Sequence, residues 1–75
     1  MEHSVLVDEL KRRYQSASKS EVALSIHLFG IEFADALQGA SVHLIAEEAT
    51  GHPSYGTEIR KGMRLAKYVQ LKTEK

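Results

Sequence analysis

Seventy-five residues with 43% apolar side chains and ten Lys and Arg against ten Asp and Glu describe one small folding unit near the lower size limit for independent stability. A core of that size supplies only about 3–5 kcal/mol of net stability, and the absence of Cys excludes both disulfides and a thiolate zinc site as staples. No apolar run approaches the roughly 18 residues that cross a bilayer, and the start, "MEHSVLVDELKRR", lacks a signal peptide's basic head and small-residue cleavage site, so the expected location is the cytoplasm, with no membrane partner.

The first helix is expected over Ser4–Ser16. Val7, Leu10, Tyr14 and Ala17 recur at three- and four-residue steps and define one face. Asp8 and Glu9 precede Lys11, Arg12 and Arg13, the order a helix dipole favours. The adjacent "KRR" cations spread around the helix and read as solvated surface.

"SKSE" at Ser18–Glu21 has the spacing of a capping box, which predicts a second helix from about Lys19. Val22, Ile26, Phe29, Phe33 and Leu37 then form one stripe, with Leu24, Leu28 and Ile31 across from it. A helix apolar on two sides is central, or is covered by a partner. The stripe runs through Gly30 without a change of phase, so a single helix to about Gln38 is expected. Gly30 would cost about 1 kcal/mol relative to Ala and would allow another backbone close. Gly39 is the expected left-handed stop.

The third helix is expected over Ser41–Ala49, with Val42, Ile45, Ala46 and Ala49 as its buried face and Gly51 and Pro53 ending it. The fourth should run from Ser54 or Tyr55 to about Lys67. Ile59, Gly62, Met63 and Ala66 share its inner side. Thr57, Arg60, Arg64 and Lys67 fall within about 80° on the outer side, with Lys61 at that edge. "YVQLK" after it alternates like a short strand. The expected fold is an all-α, four-helix bundle over residues 1–75, closed by a short extended C-terminal tail. The surplus apolar surface of Val22–Leu37 and the unpaired tail argue for a homodimer.

The zero net charge conceals a gradient. Residues 1–53 hold eight acids and four bases; residues 54–75 hold two acids and six bases. A basic helix face of this kind suits a polyanion. Arg donates two bonds to guanine, while Lys and Thr suit phosphates or base edges. The candidate nucleic-acid contacts are therefore Thr57, Arg60, Lys61, Arg64 and Lys67. Tyr55 joins them for a base or phosphate contact, and the amides of Tyr55 and Gly56 as phosphate donors at the helix start.

The segment "IAEEATG…TEIRKGM", through Ala46, Gly51, Ile59 and Met63, resembles the broad bacterial helix-turn-helix class over about the last 35 residues. That pattern separates the small helix residue from the turn Gly by four; Ala46 and Gly51 differ by five, and Pro53 lengthens the turn. "LFGIEFADAL" and "TEIRKGMRLAKYV" are also similar to a small family of stand-alone bacterial proteins, which implies a fold and no activity. The resemblance implies a DNA-binding regulator whose second motif helix enters the major groove. The competing reading is a homodimeric protein-interaction module that binds no nucleic acid.

No catalytic or cofactor motif is evident. His43 and Glu47, four apart on a helix, could share a metal or a proton, but His3, His27 and His52 have no ligand spacing. Glu47 and Glu48 point about 100° apart. Ser25 lacks the glycine frame of a nucleophile elbow. No enzyme activity, metal or cofactor is expected.

Overall fold

The computed structural model describes residues 1–69 and 71. Four helices follow in order: α1 (His3–Ser16), α2 (Val22–Glu32), α3 (Val42–Thr50) and α4 (Tyr55–Leu65). The fold is all-α, and no strand occurs among the described residues. Val69 and Leu71 are not in a strand; Gln70 and Lys72, on which the expected tail strand also rested, lie outside the described residues.

The core is drawn from all four helices and from the α2–α3 connection. Leu6 and Leu10 come from α1, Ile26 and Phe29 from α2, Leu37 from the connection, Val42, Ile45, Ala46 and Ala49 from α3, and Ile59 from α4. The inner face of α3 is the one its spacing predicts. The face of α1 is rotated: Leu6 is buried, while Val7 and Tyr14 pack at the edge. Three successive apolar residues, Val5, Leu6 and Val7, could each have pointed inward, and only the position of α3 beside α1 selects Leu6.

The capping box does not form. The Glu21 amide donates to the Ser18 carbonyl at 2.9 Å, closing a 3-10 turn over Lys19–Glu21. The Ser18 hydroxyl makes no cap bond and faces the Ser20 hydroxyl at 3.5 Å. Because the backbone carbonyl satisfies the amide that the hydroxyl would have taken, α2 begins at Val22.

The second helix is also shorter than expected. It stops at Glu32, and Phe33 leaves the helical region at φ −106°, ψ 23°. The chain continues as turns, with Leu37 N–H donating to Phe33 O and Ala40 N–H to Leu37 O, each at 2.9 Å. These turns carry Leu37 into the core. A four-residue apolar step survives in such turns, so the stripe could not locate the helix end. Gly39, at φ 77°, closes the turn segment rather than a helix.

Gly30 lies inside α2 and is buried. A β-carbon there would come within 2.4 Å of the Ile59 carbonyl oxygen and 3.0 Å of the Gly62 α-carbon. One on Gly62 would meet the His27 carbonyl oxygen at 2.3 Å. The two helices therefore cross backbone to backbone, glycine on glycine. This crossing fixes α4 against α2 and determines which of its sides faces water.

Candidate nucleic-acid interface

The short α3, the break at Gly51–Ser54 and α4 make the unit that presents the basic face. Gly51 adopts φ 82° and its amide donates to Glu47 O at 2.8 Å, a left-handed helix stop. The His43 Nδ1–H donates to the Pro53 carbonyl at 2.9 Å, and its ring lies where a Gly56 β-carbon would approach within 2.3 Å. His43 thus holds the turn to α3. No cluster of three metal-ligating side chains occurs among the described residues.

On α4, Gly56, Ile59 and Gly62 are buried and Met63 half-buried. Thr57, Arg60, Lys61 and Arg64 are exposed on the helix, and Lys67 is exposed in the turn that follows Leu65. Arg60 and Arg64 project about 40° apart. Lys61 Nζ lies 3.6 Å from Glu58 Oε2. Among the described residues, no carboxylate is in ion-pair reach of Arg60, Arg64 or Lys67.

The cations of α1 are disposed differently. Arg12 pairs with Glu9. Arg13 reaches Glu9 at 3.3 Å and Glu32 at 2.5 Å, and its guanidinium sits 5.3 Å from the Phe33 ring centre. The Arg13 side chain is only 21% exposed. It ties α1 to the end of α2 instead of being solvated as the sequence suggests. The Arg head, with donors spread over a planar cation, suits bridging two carboxylates beside an aromatic ring. Of the "KRR" run, Lys11 is exposed without a carboxylate partner among the described residues, whereas α4 groups Arg60 and Arg64 on one side in that state.

Tyr55 is near the turn and lies apart from the cations. Its side chain is half-buried on the Ile59 side of α4, with ring centres 6.1 Å from Tyr14 and 5.7 Å from His52, the latter edge-on. It anchors the start of the helix and does not share the cationic face. The first amides of the helix have acceptors within the chain. Tyr55 N–H donates to His52 O at 3.1 Å and Gly56 N–H to Pro53 O at 2.9 Å. The tight turn imposed around Pro53 has already engaged both donors.

One feature escaped the sequence. His27 Nε2 lies 2.5 Å from Glu58 Oε1, joining α2 to α4 beside the glycine crossing. His27 precedes Gly30 by three residues and Glu58 precedes Gly62 by four, so each lies about one helical turn before the crossing, and neither spacing names the other residue as its partner. The Glu58 carboxyl is held below its ordinary value of 4.5, chiefly by the His27 hydrogen bond, with Lys61 adding to it and burial opposing it. A carboxylate depressed in the folded state stabilises above its unfolded pKa, and that contribution is lost as pH falls through the folded value. Glu58→Gln should therefore flatten the acid side of a stability–pH curve followed by thermal unfolding. An unaltered acid limb would show that the pair contributes nothing.

A second cross-link, His3 Nε2 to Glu48 Oε1 at 2.8 Å, ties the start of α1 to α3. No helix among the described residues is long and apolar enough to cross a membrane.

The family model described as an HTH-like domain matches residues 2–72. The match spans all four helices, well beyond the last 35 residues that carried the resemblance in the sequence. No curated protein and no solved structure matches the chain. By that match, and consistent with its α3–turn–α4 geometry, the chain belongs to the helix-turn-helix-like domain family.

Proposed function

We propose that this protein binds nucleic acid, DNA in the first instance, through the outer face of α4, and acts as a small cytoplasmic regulator. Arg60 and Arg64 reach base edges or phosphates, Lys61 and Lys67 contact phosphates, and Thr57 adds a hydroxyl at the leading end of the face. Tyr55 serves from behind, by fixing the start of the helix. The observation that carries this reading is the exposure of Arg60 and Arg64 without a carboxylate partner among the described residues, while Arg12 and Arg13 are paired. The family membership supports it at the level of the fold. The reading includes no catalytic step and takes residues 1–75 as one domain.

A homodimer would present two copies of α4, as paired half-sites require. The surface that favours it is the outer side of α2, where Leu24 is 49% exposed and Leu28 and Ile31 are half-buried. The same stripe supports the rival reading, a homodimeric interaction module with no nucleic-acid partner.

A labelled duplex titrated at two salt concentrations separates the two. Four phosphate contacts give a log K against log salt slope of about −3.6, and Arg60→Ala with Arg64→Ala should reduce its magnitude by about 1.8. Both variants are surface changes and should leave the helix content intact. Absence of binding at low salt, together with self-association, would favour the interaction module.

A further inference from the structure

The cationic face of α4 does not end in charge. Lys61, Arg64, Leu65 and Tyr68 recur at i, i+3, i+4 and i+7 and line one shallow, open depression at the end of the helix. Tyr68 is 82% exposed and Leu65 44%. The two apolar side chains lie beside the two cations, so the depression combines an apolar floor with a positive rim.

We propose that this depression takes an unpaired nucleobase with its adjoining phosphate. The Tyr68 ring stacks on the base, Leu65 closes its edge, and Arg64 with Lys61 holds the phosphate. The inference rests on the nucleic-acid reading of α4 and adds the state of the strand it recognises. Charge complementarity selects the ligand class. Arg64 has no carboxylate partner among the described residues, so the rim calls for an anion beside an apolar, planar group. A nucleotide supplies both. Among the described residues the depression is lined by one helix end and the turn after it, with no second wall, so it offers a ring one face and offers a docking helix no groove. Bases inside a duplex are stacked on one another, so only a single strand, a gap or a bulge can present one to Tyr68.

The test uses the full chain with three fluorescent probes at equal salt: an oligothymidylate strand, an intact duplex, and that duplex with a single-strand gap. The strand and the gapped duplex should bind at least roughly tenfold more tightly than the intact duplex, the scale of one aromatic–base stack. Tyr68→Ala should remove that preference and leave the salt slope on the intact duplex unchanged. Tyr68→Phe should retain it. Equal affinity for gapped and intact duplexes, or a preference that survives Tyr68→Ala, overturns the proposal. So does a Tyr68→Ala variant whose only change is a shift in self-association, which would make a second copy the occupant. Salt-dependent binding of the intact duplex without gap preference sinks this inference alone; no binding of any probe sinks the reading of α4 as well.

Discussion

Gly30→Ala is expected to destabilise the protein, although the same exchange at an exposed helix position stabilises by about 1 kcal/mol. The sign reverses because the new methyl would be driven to 2.4 Å from the Ile59 carbonyl oxygen. The obstacle is backbone, which cannot rotate away as a side chain can, so α2 and α4 must separate. Overpacking of this kind costs about 1–3 kcal/mol, against a net stability of about 3–5 kcal/mol for a core this small. Gly62→Ala should behave alike, since its methyl would strike the His27 carbonyl at 2.3 Å. Gly56→Ala is the informative contrast. Its obstacle is the His43 ring, a side chain that can move, so its penalty should be smaller. Urea unfolding of the three variants would decide the matter. A Gly30→Ala protein as stable as the parent would mean that the two backbones do not approach as described.

Ile59→Ala should cost still more. Ile59 is fully buried and precedes Arg60 by one residue, so it is the apolar anchor of the cationic face. Truncating a buried Ile to Ala costs about 2–5 kcal/mol, comparable to the whole stability. Loss of cooperative thermal unfolding, or a transition far below the parent's, is the expected result. Nucleic-acid binding should fail with it, whereas Arg60→Ala with Arg64→Ala should weaken binding, flatten its salt dependence and keep the fold. Ile59→Val, which removes one methylene, should cost only about 0.5–1.5 kcal/mol and retain binding. A stable Ile59→Ala variant would show that α4 is held by its glycine crossing and polar links rather than by this side chain.

The two variants expose a division of labour within α4. Gly62 sets how near the helix lies to α2, Ile59 sets which side is turned inward, and His27 with Glu58 ties the two helices beside that crossing. Arg60 and Arg64 are oriented by these three constraints and contribute nothing to packing themselves. That separation is what allows a surface double mutant to test function without testing stability.

Several features of the molecule are local, and these were legible in the amino-acid order. The inner face of α3 follows from Val42, Ile45, Ala46 and Ala49 at helical spacing, and its end follows from Gly51, whose φ of 82° is a conformation glycine adopts at little cost. The clustering of Thr57, Arg60, Lys61 and Arg64 on one side of α4 is helical arithmetic. The close approach that Gly30 allows was visible too, as was the all-α class. Each depends on residues within a few positions of one another.

What the tertiary structure decided was every choice between locally equivalent options. Leu6 rather than Val7 is buried because α3 lies on that side of α1. The Glu21 amide could bond a hydroxyl or a carbonyl, and the turn into α2 selected the Ser18 carbonyl. The apolar stripe through Phe33 and Leu37 fits a helix and a series of turns equally, and the demand of the core for Leu37 settled it as turns. The partner of Gly30, the pairing of His27 with Glu58, and the capture of Arg13 by Glu32 and Phe33 join residues 19 to 32 positions apart or across helix ends. Such contacts have no short-range signature, because chain spacing constrains which residues share a helix face and leaves open which faces meet.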